Sequence, residues 1–419
     1  MSVRVTTLEN GMRVLTDRMD SVETVSIGVW VDVGTRHEPP QFNGVAHLLE
    51  HMAFKGTERR SALDIAAEIE AVGGHLNAYT SREHTAYYAK VLKENVALAV
   101  DILADILQRS IFDPAELERE RAVILQEIGQ ANDTPDDIIF DLFQERAFPD
   151  QAMGRPVLGR AEIIRRIDRE AVASYMRRHY AAPGMLLTAA GNLDHGELVR
   201  LAETAFSGLP AGGLARSEPA RYVGGELRDE RDLEQVHVVL GFPGFAFADP
   251  DYYAASVVSS ALGGGMSSRL FQEIREKRGL VYAIYSFTHA YSDGGLFGVY
   301  AGTGEEEVEE LMPVLCDEIR KLVFGLEPAE LERARAQLKA GLLMSLESTT
   351  ARCEQQAAHM LVFGRPLDMA EMVSRIDAVD AASVTRVAHR IRTAPPTLTA
   401  LGPVGRVAPY PRLVERLGC

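Results

Sequence analysis

The feature that most restricts what this chain can fold into is that it contains part of itself twice. Residues 114–122 read PAELERERA and residues 328–336 read PAELERARA, eight of nine positions matching at an offset of 214 (114 to 328). A fainter echo follows in the same order. RIDREAVASYMRRHYAAPGMLLTAAG (166–191) is similar to RIDAVDAASVTRVAHRIRTAPPTLTALG (375–402), at offsets of 209 to 211. Both copies of this second echo pass from a helical pattern through a proline-containing break into a short Thr/Leu/Ala strand. A repeat near half of 419 residues implies two similar domains. The expected plan is an N-terminal domain over 1–210, a linker over 211–232 rich in Gly, Pro and charge, and a C-terminal domain over 233–419.

Local patterns assign mixed elements to each half. VRVTTLENGMRVLTD reads as a hairpin turning at Asn10-Gly11, a pair that tolerates the positive φ of tight hairpins. TVSIGVWVDVG (24–34) alternates as a strand. A helix is predicted from Asn43 to Lys55, capped by Asn43 and ended by Gly56. Ser61 and Asp64 form a capping box for the next helix, and HLNAYTSREHTAYYAKVL (75–92) reads as two strands around Thr80–Glu83. Asp113, Pro114 and Glu116 open the helix that carries the repeat. The fold class expected is α+β, each half a mostly antiparallel sheet layered with helices.

Composition narrows the function classes. Hydrophobic content of 46% without a run of bilayer-span length gives a soluble globular protein with no membrane segment. The net charge of −16, from 60 acidic against 44 basic side chains, disfavours nucleic acid and suits cationic partners, or simply keeps the protein in solution. Three scattered cysteines (Cys316, Cys353 and Cys419) make neither a disulfide framework nor a metal cluster, and MSVRVTTLENGMRVLTDRMD lacks a secretory pattern. The expectation is a reduced, cytoplasmic protein.

The chemistry concentrates in GVAHLLEHMAFKGT (44–57). On a helix His47 and His51 share one face, so two neutral imidazoles can hold one ion, while Glu50 lies close enough to take a proton from a water there. This is the H-x-x-E-H inversion of the commoner zinc-protease pattern. Taken alone, the pair also suits structural histidines beside a solvated carboxylate. A third ligand is needed, and the repeat points to candidates. Glu116 and Glu118 recur as Glu330 and Glu332, whereas Glu120 and Glu127 face Ala334 and Gly341 in the second copy. Carboxylates confined to the copy with the histidines are candidates for chemistry. One can ligate while the other orients a ligand or a water.

HLLEH followed by ERERAVILQEIG (118–129) resembles the pitrilysin/insulinase family of metallopeptidases. The likeness is closest to its short-chain branch of processing peptidases and covers nearly the whole chain, two-half plan included. It implies one zinc ion per chain on His47, His51 and Glu127, Glu50 as general base and Glu120 as supporting carboxylate. It also places NAYTSREHT beside the metal as an edge strand, with Asn77, Ala78 and Tyr79 binding substrate main chain. In GGGMSSRLFQEIREKRGLVYAIYSF (263–287), Arg275 and Tyr282 fall on the family's substrate-gripping pair.

Two further expectations concern specificity. Phe54 is a candidate wall for the residue after the cut, and a plain core Phe is the competing reading. Asp137 and Asp141 are placed to receive an Arg of a basic peptide, or simply form a solvated face. Because long family members link two such units into a closing chamber, this chain is expected to form a homodimer. The activity expected is zinc-dependent endopeptidase cleavage of peptides or unfolded segments. A non-catalytic structural subunit and a catalytic subunit needing a different chain stay open.

Overall fold

The computed structural model describes residues 3–418; Met1, Ser2 and Cys419 lie outside the described residues. The chain forms two compact units. The first takes residues up to Gly129, Arg155–Glu218 and Met344–Asp368, and the second takes the remainder.

The first unit is built on a six-stranded sheet. Its strands are β1 (Val3–Thr7), β2 (Arg13–Arg18), β3 (Thr24–Val31), β4 (His75–Thr80), β5 (Thr85–Leu92) and β6 (Met185–Gly191), in the order β1-β2-β6-β3-β5-β4. All neighbours are antiparallel except β2 and β6. The first hairpin turns where Gly11 has φ +91°. Strand β3 is buried from Val25 to Val31, because helices cover both faces of the sheet. On one face lie α1 (Val45–Ala53), α2 (Ala62–Ala71) and α3 (Val96–Gln108).

The second unit repeats this plan with β7 (Gly225–Glu230), β8 (Val236–Pro243), β9 (Val281–Ala290), β10 (Gly295–Thr303) and β11 (Thr397–Gly402), in the order β7-β11-β8-β10-β9. The two echoes of the sequence become equivalent elements. PAELER opens both α4 (Pro114–Asn132) and the helix Pro328–Ser345. Strands β6 and β11 each lie between one parallel and one antiparallel neighbour. Strand β7 falls inside the glycine-rich 211–232 stretch.

Each unit also takes a helix from far along the chain. Helix α5 (Pro135–Ala147) packs Ile139, Phe143 and Ala147 with Val239, Leu296 and Leu401 of the second sheet. The helix Thr349–Phe363 buries Cys353, Ala357 and Met360 with Leu15, Trp30 and Leu186 of the first. The compact units are therefore interleaved in sequence.

Helix α1 is held by its apolar side. Leu48, Leu49 and Met52 are fully buried, each contributing about 1.5–3 kcal/mol. The predicted Asn43 cap is not formed. Gly44 occupies the N-cap position with φ +96°, and the Asn43 amide is drawn instead to Glu38 and the Pro156 carbonyl.

Candidate metal centre

Burial of Leu48, Leu49 and Met52 fixes the roll of α1, so that His47 and His51 stand one turn apart with ring centroids 4.6 Å from each other. Helix α4 brings up Glu127. Its Oε2 lies 3.8 Å from His47 Nε2 and 3.7 Å from His51 Nε2, and the three donor atoms fall within 4.8 Å of one another. These spacings are too long for hydrogen bonds. Glu127 Oε2 is nevertheless buried and has no hydrogen-bond partner among the described residues.

A shared ion accounts for such an arrangement. Bonds of about 2.1 Å in tetrahedral geometry would put ligand atoms about 3.4 Å apart, a few tenths inside the two Glu127–imidazole distances. Two imidazoles and a carboxylate form a donor set that suits zinc. Burial, and then the neighbouring His51, push His47 down to about 4, leaving the imidazole neutral and its lone pair available at neutral pH.

Around this triad the carboxylates are held in distinct ways. Glu120 Oε2 lies 2.9 Å from His51 Nδ1, and Lys55 Nζ lies 2.7 Å from Glu120 Oε1. Burial acts to raise the Glu120 carboxyl, but Lys55 and His51 more than offset it and hold it below the ordinary range. An ionised Glu120 accepts from Nδ1–H, which leaves His51 Nε2 to face Glu127. Thr80 Oγ1 donates to Glu50 Oε2 at 2.6 Å. Burial raises the Glu50 carboxyl, with Thr80 and His51 opposing the rise. A carboxylate whose proton affinity is raised in this way is a better general base than an exposed one.

The other residues singled out in the sequence are distributed as follows. Asn77, Ala78 and Tyr79 lie on β4, which ends its sheet and among the described residues pairs only with β5. Their side chains alternate. Ala78 packs toward the core that contains α1, whereas Tyr79 faces the opposite side with Trp30. There the Tyr79 hydroxyl donates to Glu354 Oε1 at 3.1 Å and accepts from Trp30 Nε1. Phe54 caps the C-terminus of α1 and, with Ile65, Ile69 and Leu76, lines a cavity of about 220 Å³.

Arg275, Tyr282, Asp137 and Asp141 belong to the second unit. Arg275 sits in a π-helical turn, Phe271–Glu276, with its guanidinium over the rings of Phe271 at 4.8 Å and Tyr282 at 5.8 Å. Tyr282 is 78% exposed at the start of the edge strand β9. Asp137 is exposed on the first turn of α5, its carboxyl raised by burial and by Asp141 and Asp136.

Two residues at the centre were not anticipated. Lys55 follows His51 by one helical turn, a spacing that carries its own signal. Thr80 carries none, because only the packing of β4 beside α1 brings it to Glu50.

The chain is similar along most of its length to known proteins named as peptidases. The profile described as insulinase (peptidase family M16) matches residues 13–161, and that of the peptidase M16 inactive domain matches 166–338. A protein named an uncharacterized zinc protease, from Rickettsia bellii, is 41% identical over 95% of this chain and 97% of its own length. A probable mitochondrial-processing peptidase subunit beta of Arabidopsis thaliana is 39% identical over 99% of this chain and 81% of its own. Among solved structures, a protease from Helicobacter pylori superposes with a TM-score of 0.88 over 96% of this chain and 99% of that one. At 21% identity, that likeness extends to the fold.

Proposed function

The chain belongs to the insulinase family of peptidases, M16, and on that premise we propose that it is a zinc-dependent endopeptidase whose metal is held by His47, His51 and Glu127. The observation that carries this reading is the buried, unpartnered Glu127 Oε2 facing both Nε2 atoms. Zinc held by these three residues would supply a Lewis acid able to lower the pKa of a water. Glu50 takes the proton as the water attacks a peptide carbonyl, and then delivers it to the leaving amine. Glu120, kept ionised by Lys55, holds the His51 ring in place.

Substrate handling follows from the exposed edges. A peptide adds to the open rim of β4 through main-chain hydrogen bonds, which read little sequence. Since Tyr79 turns its ring away from α1, it serves there through its backbone. Phe54 and its cavity receive the side chain after the cut. Arg275 and Tyr282 donate to peptide carbonyls, and Asp137 and Asp141 attract the arginines of a basic substrate.

Two copies pair to close the reaction chamber. The buried thiols of Cys316 and Cys353, joined in no disulfide among the described residues, suit a reducing cytoplasm. Among the described residues no helix is long and apolar enough to cross a membrane.

One observation favours a second reading, a catalytic subunit that needs a different chain: a close relative is named as a subunit. The test is to purify the chain alone and measure zinc per chain, oligomeric mass by light scattering, and cleavage of a basic peptide with and without chelator. Zinc binding with chelator-sensitive cleavage supports the first reading. Zinc binding without cleavage supports the second, and absence of both supports a non-catalytic subunit.

A further inference from the structure

We propose that Glu38 is a positioning residue for helix α1, its carboxylate standing in for the missing N-cap side chain and so fixing where His47 and His51 stand. The inference rests on the metal-site reading above. Helix α1 starts after a left-handed Gly44, which has no side chain to accept the free N–H groups of the first turn. Glu38 reaches them from outside the helix. Its Oε1 accepts from the Ala46 N–H at 2.8 Å, and its Oε2 from the Gly44 N–H at 2.8 Å and from Asn43 Nδ2 at 2.9 Å. The residue is 3% exposed, which keeps water from taking over these bonds.

Three N–H donors converging on both oxygens match a carboxylate, and the positive end of the helix favours its negative charge. Burial works against this and pushes the carboxyl up to about 7. The Arg155 guanidinium adds favourable charge and donates to the Glu38 backbone carbonyl. Ala46 is the residue before His47, so a shift at the cap passes directly to the first metal ligand.

The surroundings leave the helix start little freedom. Gly44 and Gly159 pack backbone against backbone. A Cβ on Gly44 would stand 2.8 Å from Gly159 Cα, and one on Gly159 would stand 2.6 Å from the Asn43 carbonyl oxygen. The same short segment also grips the β4–β5 hairpin. Thr35 N–H donates to Ser81 O at 3.1 Å, Arg36 N–H to Arg82 O at 2.8 Å, and the Arg36 guanidinium to Glu83 Oε1 at 2.7 Å. One stretch of chain therefore sets the helix with the metal ligands and the hairpin with the edge strand in a common register.

The test is Glu38→Gln, which keeps the shape but turns an N–H donor toward another donor, with Glu38→Ala as a second variant. Zinc affinity is read by competition with a chelating dye, ligand geometry from the visible spectrum of the cobalt-substituted protein, and the cap from hydrogen exchange of the 44–48 amides in metal-free protein. The expected result is affinity weaker by about 10-fold, a shifted cobalt spectrum, and faster exchange confined to the start of α1. Unchanged affinity and spectrum in Glu38→Gln would overturn the proposal, as would unchanged exchange at 44–48. If the wild-type chain takes up no zinc, the metal-site reading fails separately, and the exchange of the 44–48 amides still decides whether Glu38 caps the helix.

Discussion

Thr80 Oγ1 donates a 2.6 Å hydrogen bond to Glu50 Oε2, joining the end of the edge strand β4 to the middle of α1. The strand proposed to take the substrate thereby also aims the proposed proton carrier. Replacing Glu50 by Gln keeps the size of the side chain but removes its basicity. The expected loss in kcat is about 10³-fold, with bound zinc unchanged. Thr80→Val removes only the aim, so kcat should fall about 10-fold while KM and zinc content hold. Steady-state kinetics with metal analysis checks both, and a Glu50→Gln variant of wild-type kcat would remove Glu50 from the mechanism.

His51 and Lys55 flank the buried Glu120 carboxylate. Glu120→Gln replaces an ionised acceptor by a neutral one and should weaken zinc binding about 10- to 100-fold. Lys55→Met, which removes the partner that keeps Glu120 ionised, should act in the same direction and less strongly. Competition with a chelating dye measures both.

Phe54 lines the cavity shared with Ile65, Ile69 and Leu76. Phe54→Ala enlarges it and should shift preference after the cut toward bulkier side chains, seen by mass spectrometry of products from a mixed peptide pool. An unchanged product pattern would return Phe54 to the role of a core residue.

Acid should destabilise the fold through its buried histidines. Burial pushes His84 down to about 4, and burial together with the nearby His179 does the same to His37. The Gly34 N–H donates to His37 Nδ1, which can accept only while unprotonated. Between pH 6.5 and about 4 the unfolded chain binds these protons and the folded chain does not, so stability falls as pH drops through that window. His84 alone contributes about 1–3 kcal/mol of this fall. The melting temperature of His84→Asn should therefore decline less from pH 7 to pH 5 than that of the wild type.

The parts of this molecule that are local in sequence were readable from it. His47, Glu50 and His51 share two turns of one helix, and the PAELER echo placed equivalent helices in both units. The repeat singled out Glu120 and Glu127, opposite Ala334 and Gly341, and the family resemblance then chose Glu127 as the ligand. What was hidden depends on elements meeting. Thr80 and Glu38 act on α1 from a strand and a loop, and no spacing rule connects them to it. Asn43 was the natural cap by residue type, but the left-handed turn at Gly44 sends its amide to Glu38 instead. The alternation of β4 puts Tyr79 behind the sheet, where Glu354 of a distant helix receives its hydroxyl. An amphipathic helix shows that it covers a sheet without showing which, and so the interleaving of α5 and Thr349–Phe363 could not be seen beforehand.

The central claim is that Glu127, from α4, completes the ligand set of the two α1 imidazoles. The most direct measurement is zinc stoichiometry and affinity for the wild-type chain beside Glu127→Gln, with circular dichroism to confirm that both are folded. One zinc per wild-type chain and none retained by the variant after dialysis is the predicted result. A folded Glu127→Gln chain that binds zinc as tightly as the wild type would contradict it.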